Sequence, residues 1–169
     1  MKKKIKAIFL DCDGVLTTGS YFYTDKGKFL KEFSSMDGKG FSQAKEKEIY
    51  ILVITEEPDE RGFNITKKRC EDQKVDLINA RNPEDKLTIA KKYLSKWGVT
   101  LEECAFIADD MGDWSLFKEV GLPIAVANAY EKMKEFARKN NGYITKRPGG
   151  KGAVREAIEW ILNYNIAKK

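Results

Sequence analysis

Aspartates recur in two tight groups, Asp11-Cys12-Asp13-Gly14 near the start of the chain and Asp109-Asp110-Met111-Gly112-Asp113 further along. Carboxylates crowded in this way repel one another unless a hard cation sits among them. An all-oxygen donor set suits Mg²⁺, with Mn²⁺ or Co²⁺ as chemical substitutes. Mg²⁺ keeps several waters and takes a few protein oxygens plus a substrate phosphate, so the pattern points to a phosphorylated substrate. In that chemistry Asp11 is placed to attack phosphorus. Asp13, two residues on in an extended segment, emerges on the same side, where it could protonate the leaving oxygen and then activate water. Lys86 would hold the charges of nucleophile and phosphate together, and Thr55 would donate a hydrogen bond to a phosphoryl oxygen.

These residues need a scaffold that gathers them. Ile5 to Leu10 is a run of β-formers that stops at Asp11, as expected for a buried strand opening into a functional loop. Tyr21 to Tyr23 and Phe29 to Phe33 flank the turn Asp25-Lys26-Gly27, predicting a projecting hairpin within an insert at about 17–34. Helix and strand then alternate. Helices are expected at Gly38 to Lys47 with Asp37 as N-cap, Pro58 to Gln73, Pro83 to Lys96 with Asn82 as cap, Trp114 to Val120, and Glu131 to Lys139. Strands are expected at Tyr50 to Ile54, Val75 to Ile78, Cys104 to Ile107 and Ile124 to Val126. A last helix, Ala153 to Tyr164, carries Ala153, Val154, Ala157, Ile158, Ile161 and Leu162 on one face. The order predicts a single α/β domain over 1–169, with a doubly wound parallel sheet and a tail at about 145–169. Such sheets place their sites at the carboxyl ends of strands, where Asp11, Thr55, Lys86 and Asp109 all fall.

Composition narrows the chemistry. The chain has 169 residues, 42% of them hydrophobic, enough for one sizeable core. It contains no histidine, which excludes phosphohistidine intermediates, His-activated nucleophiles and imidazole zinc sites. The net charge of +5 comes from interspersed residues that form no basic stripe, so nucleic acid is not indicated as a partner. The apolar run ending at Leu10 is too short for a signal core or a membrane span, which leaves the cytoplasm as the expected location. Cys12, Cys70 and Cys104 lack CxxC spacing and read as reduced structural thiols.

The combination Asp11-Cys12-Asp13-Gly14-Val15-Leu16-Thr17, Thr55, Lys86 and Asp109 to Asp113, in this order, resembles the haloacid dehalogenase superfamily of phosphatases. The resemblance implies a Rossmann-like three-layer sandwich, Asp11 as nucleophile, Asp13 as general acid/base and backbone metal ligand, and Asp109 as metal ligand. Asp110 and Asp113 would support the acidic loop, and Mg²⁺ would be the cofactor. The absence of room for a cap, the hairpin, and the ending Arg147-Pro148-Gly149-Gly150-Lys151-Gly152-Ala153-Val154-Arg155-Glu156 are similar to the small capless members. Those members act on 2-keto-3-deoxy sugar-acid phosphates, namely KDO 8-phosphate and the KDN or N-acylneuraminate 9-phosphates. The resemblance further implies a homotetramer built by the hairpins, a tail that closes a neighbour's site, and Thr17, Glu57, Arg69 and Arg147 as substrate contacts.

The chain departs from that pattern at two places. Thr55-Glu56-Glu57 stands where octulosonate enzymes usually carry Gly-Arg after the threonine, and a glutamate here resembles the nonulosonate type. Gly112 stands where members commonly carry Asn. Simpler roles are open for several residues: a surface ion pair for Glu57 and Arg69, a flexible lead into the last helix for Arg147 to Gly152, and a hairpin face buried within the chain or between subunits for Phe22, Tyr23, Phe29 and Phe33. Trp97, Trp114 and Trp160 read as core or interface. The competing function is a catalytically idle tetramerisation domain, like the module fused to some sialic-acid cytidylyltransferases. Intact Asp11, Asp13, Lys86 and Asp109 speak against it.

Overall fold

A computed structural model describes residues 3–167. Met1, Lys2, Lys168 and Lys169, at the ends of the expected domain and tail, lie outside the described residues. The first apolar run forms β1, Ala7–Leu10, buried at all four positions. Beyond the Asp11 loop, β2 (Thr17–Thr24) and β3 (Gly27–Phe33) pair antiparallel as the hairpin. Then follow α1 (Met36–Glu46), β4 (Tyr50–Thr55), α2 (Glu60–Gln73), β5 (Asp76–Asn79) and α3 (Asp85–Trp97). The chain continues through β6 (Cys104–Ala108), α4 (Trp114–Phe117), β7 (Leu122–Ala125), α5 (Glu131–Lys139), β8 (Tyr143–Ile144) and α6 (Ala153–Ile166).

The main sheet is parallel throughout, in the order β5-β4-β1-β6-β7-β8. The chain winds outward from β1 in one direction, returns through α3, and winds outward in the other. The switch point therefore lies between β1 and β6, where a crevice opens beyond the strand ends. Leu10 pairs in register with Val53 of β4 and Ile107 of β6, which brings Asp11, Thr55 and Asp109 to one edge. Central strands covered on both faces read as continuous apolar runs, and Phe9, Phe106, Leu10 and Ile107 are fully buried. Trp97 stacks on Phe9 and Tyr50, at 5.8 and 4.7 Å between ring centroids, and Trp114 meets Phe136 edge-on at 5.0 Å. Trp160 stacks on Tyr143 at 4.8 Å. With α1 packed on α6 and α3 on α4, the sheet is flanked by helices, and no separate cap domain is evident among the described residues.

Several local expectations are corrected. Asp37 does not cap α1, which begins one residue earlier; its carboxylate accepts a hydrogen bond from the Arg155 N–H, at 3.0 Å, and so caps α6 across the helix pair. Gly152 precedes α6 and has no side chain to do this itself. Pro58 stands outside α2 because the Asp59 carboxylate accepts from the Gly62 N–H at 2.7 Å and sets the start there. Asn82 and Pro83 form a turn before α3, with Asn82 Oδ1 accepting from the Asp85 N–H. The segment after Asp110 makes a 3₁₀ turn at Met111–Asp113, and α4 is a single turn that ends before Val120. The two-residue β8 was too short to register as a period of 2 in the sequence.

The hairpin inverts the usual pattern. Its aromatics Tyr21, Phe22, Tyr23 and Phe29 are exposed, while its buried positions on β3 are Lys28 and Lys31, turned toward the Asp11 loop and α2. Phe33 alone of the expected apolar face is partly buried.

Candidate active site

The Asp11 loop owes its shape to a positive φ of 88° at Gly14, a conformation that side chains rarely adopt. A Cβ there would lie 2.0 Å from Asp109 Oδ2, so glycine is also what lets the β6 carboxylate approach the β1 loop. Thr17 braces the loop from inside. Its hydroxyl donates to Asp13 Oδ1 at 3.1 Å and accepts from the N–H groups of Gly14 and Gly19. The residue is fully buried and spends its hydroxyl on the loop itself.

Asp11, Asp109 and Asp113 each offer a carboxylate oxygen within 4.8 Å of the others. Lys86, near the start of α3, is the cation among them: its Nζ donates to Asp11 Oδ1 at 2.8 Å and to Asp113 Oδ1 at 2.6 Å. The helix start is held in turn by Ser115, whose hydroxyl donates to the Pro83 carbonyl at 2.8 Å. Burial and the charges of Asp11, Asp113 and Asp110 push Asp109 up to about 8. Burial and the Asp11 charge push Asp113 up to about 7, with Lys86 pulling the other way. Burial raises Asp11 as well, again opposed by Lys86, while burial is overcome at Lys86 by its two carboxylates, which raise it. Three carboxylates against one ammonium leave two negative charges, and the donors are all oxygen. This fits one hard divalent cation. Asp113 joins the cluster directly, whereas Asp110 faces outward and caps the turn, its Oδ1 accepting from the Met111 N–H at 2.7 Å.

Asp13 belongs to a second cluster. Lys31 Nζ donates to Asp13 Oδ2 at 2.9 Å, to Glu57 Oε2 at 2.9 Å and to Thr66 Oγ1 at 3.2 Å. Lys28 donates to the same Glu57 oxygen at 2.5 Å and lies 4.1 Å from the Tyr21 ring centre. Glu57 Oε1 accepts from the Asp59 N–H at 3.0 Å, so the carboxylate of this expected substrate contact is enclosed by protein partners. Burial works against the Lys31 ammonium, but the neighbouring acidic groups outweigh it and hold it above the ordinary lysine range. Sequence reading missed Lys28, Lys31 and Thr66. The signal available was a pair of lysines three apart on a strand that also carries Phe29, Leu30 and Phe33.

Of the remaining expected residues, Thr55 is buried at the end of β4 beside the loop. Arg69 on α2 donates to the Ser34 carbonyl at 2.9 Å and lies over Phe33, tying the helix to the hairpin base and not to either cluster. Arg147 is exposed near Met36 and Lys151. The glycine segment after it packs on its own chain's Asp11 loop. Gly150 N–H donates to the Val15 carbonyl at 3.1 Å, and a Cβ on Gly149 would lie 1.8 Å from the Gly14 carbonyl oxygen. Asn128 stitches the two together: its Nδ2 donates to the Gly14 carbonyl at 2.9 Å and its Oδ1 accepts from the Gly149 N–H at 2.7 Å. Cys12, Cys70 and Cys104 are free and buried.

The Asp11 loop, Lys86 and the acidic loop at the switch point define a class, and the chain belongs to the haloacid dehalogenase-like hydrolases, whose family pattern it matches over residues 3–150. It is 31% identical, over 160 residues, to the 3-deoxy-D-manno-octulosonate 8-phosphate phosphatase of Escherichia coli, covering 95% of this chain and 80% of that one. Among solved structures it is similar to the Moraxella catarrhalis enzyme of the same name, in complex with magnesium, phosphate and KDO. That likeness has a TM-score of 0.81 at 32% identity and covers 97% of this chain and 91% of the other. The cobalt-bound Haemophilus influenzae enzyme gives a TM-score of 0.82 at 30% identity, covering 96% and 90%.

Proposed function

We propose that this chain is a Mg²⁺-dependent phosphomonoester hydrolase that works through an aspartyl-phosphate on Asp11. Its proposed substrate is a 2-keto-3-deoxy sugar-acid phosphate, KDO 8-phosphate or a KDN or N-acylneuraminate 9-phosphate. The observation that carries it is Lys86 bound to both Asp11 and Asp113 beside Asp109, a carboxylate group two charges short of balance. Asp11, Asp109 and the backbone carbonyl of Asp13 would hold Mg²⁺, with Asp113 supporting; the ion supplies charge neutralisation for the phosphoryl oxygens. Asp11 attacks phosphorus, and the ester P–O bond breaks with its electron pair on the departing oxygen, which takes a proton from Asp13. Water then attacks the phosphoryl group and gives its proton to Asp13, the bond to Asp11 breaks, and inorganic phosphate leaves. Thr55 donates to a phosphoryl oxygen, and Lys86 keeps the Asp11 carboxylate aimed.

The named relatives support the sugar-acid class. Glu56-Glu57 in place of Gly-Arg keeps the nonulosonate phosphates within the proposal, and exposed Arg147 remains a proposed substrate contact, whereas Thr17 and Glu57 are buried against protein partners and Arg69 is bound to the Ser34 carbonyl. Exposed Tyr21, Phe22, Tyr23, Phe29 and Leu30 give the hairpin an apolar face, which supports the proposed homotetramer. Free buried thiols suit a reducing cytoplasm. No helix among the described residues is long and apolar enough to cross a membrane.

The test is phosphate release with Mg²⁺ from KDO 8-phosphate, KDN 9-phosphate, N-acetylneuraminate 9-phosphate and hexose phosphates, beside Asp11→Asn. One keto-acid phosphate is turned over best, and the substitution lowers its rate by about a thousandfold or more. Assembly without turnover of any of them, by the unaltered chain, would favour the idle tetramerisation domain instead.

A further inference from the structure

We propose that Lys31, carried into the site by the hairpin, is the positioning residue that fixes Asp13 for proton transfer to the leaving group. The proposal rests on the phosphatase reading above and deepens it. Lysine has three N–H donors, and all of those on Lys31 are committed: to Asp13 Oδ2, to Glu57 Oε2 and to Thr66 Oγ1. Its side chain is 0% exposed, so no water competes for these bonds. Glu57 and Thr66 are themselves buried, and Lys28 sits on the other side of the Glu57 carboxylate. The ammonium is therefore held at a fixed point by α2 and by the loop after β4.

From that point it fixes the orientation of Asp13. One carboxylate oxygen is bound by Lys31 and the other by the Thr17 hydroxyl, which restrains rotation about the Cβ–Cγ bond. Each oxygen still has a second lone pair, and the Asp13 side chain keeps 27% exposure, so the carboxyl retains an open side for the proton it transfers. A general acid contributes only when held within hydrogen-bond reach of the departing oxygen, and a small misplacement is expensive in rate. On β3 the inward Lys28 and Lys31 are separated by the exposed Phe29 and Leu30, so one short strand presents apolar side chains outside and a positioning cation inside.

A leaving-group comparison separates positioning from mere folding. An aryl ester such as p-nitrophenyl phosphate releases a stable phenolate that needs no proton, whereas an alkyl ester such as a sugar-acid phosphate releases an alkoxide that does. The value of kcat/KM reports the first phosphoryl transfer for both. Lys31→Met is expected to lower it by about 10–100-fold for the alkyl ester and by less than about threefold for the aryl ester. The ratio of the two, taken on one preparation, is independent of the fraction folded. Lys31→Gln, which keeps a shorter donor, should move the ratio in the same direction by less and serves if the methionine variant is insoluble. Equal losses on both esters, or no loss on either, overturn the proposal. If the unaltered chain releases phosphate from neither ester, it is the phosphatase reading itself that fails.

Discussion

The two halves of the site are built on opposite electrostatic terms. On the β1–β6 side, Asp11, Asp109 and Asp113 surround a single ammonium, Lys86, and with all three carboxylates ionised the half carries two uncompensated negative charges. On the hairpin side, Asp13 and Glu57 meet Lys28 and Lys31, and the charges cancel within protein. Buried like charges are costly until an opposite charge arrives. The first half is thus incomplete without a cation, while the second is complete as folded and acts by holding its members still. In the proposed mechanism the contrast separates binding a charged reactant from fixing a proton carrier.

The largest expected effect tests the incomplete half. Removing divalent cations with EDTA should lower phosphate release by about a thousandfold or more, with recovery on adding Mg²⁺. The same half fixes the pH dependence. Asp109 is pushed up to about 8 in the metal-free fold, against about 4 for an unfolded aspartate. Between those values the native state binds more protons than the unfolded chain, so metal-free stability falls as pH rises through that window. Mg²⁺ displaces these protons and relieves the repulsion, so its increment in Tm should be larger near about pH 8 than near about pH 5. Thermal scans with Mg²⁺ and with EDTA at both pH values measure this. An increment that shrinks with rising pH would break the contrast.

A second, smaller effect lies at the seam between the halves. Gly14→Ala drives a Cβ to within 2.0 Å of Asp109 Oδ2 at a φ of 88°. The carboxylate must retreat, and the Mg²⁺ concentration for half-maximal activity should rise roughly tenfold, which is about 1.4 kcal/mol. A metal titration of activity checks it; an unchanged midpoint would mean that Asp109 does not bind the ion. The smallest effect is at Asn128→Ala, which removes both hydrogen bonds between the Gly14 loop and the Gly149 segment. Urea unfolding should show a loss of about 1–2 kcal/mol, with activity changed only a few-fold.

The first half was legible in the sequence and the second largely was not. Asp11, Lys86 and Asp109 stand at strand ends or helix starts whose apolar runs are continuous, and a parallel sheet brings such ends together by construction. Asp113 entered the sequence reading only as support, because only the 3₁₀ turn at Met111–Asp113 aims it at Lys86. The hairpin was visible from its turn residues, but the inward turn of Lys28 and Lys31 was not. Aromatics suggest an inner face, and two lysines a solvated one; the fold does the reverse, because Glu57 and Asp13 wait beneath β3 with charges to neutralise. Asp37 was read as the cap of its own helix when it caps α6, a partner 118 residues away in sequence.

By itself the sequence determined the alternation of strand and helix, the edge of the sheet at which the chemistry gathers, and the residue types that perform it. Those follow from short-range periodicity and from where apolar runs stop. The tertiary structure alone decided that Asp113 shares Lys86 with Asp11, that the glycine segment packs on the Gly14 loop through Asn128, and that Lys31 clamps Asp13. Each of these pairs residues distant in sequence across a three-dimensional junction, where local pattern carries no information about which charge will meet which.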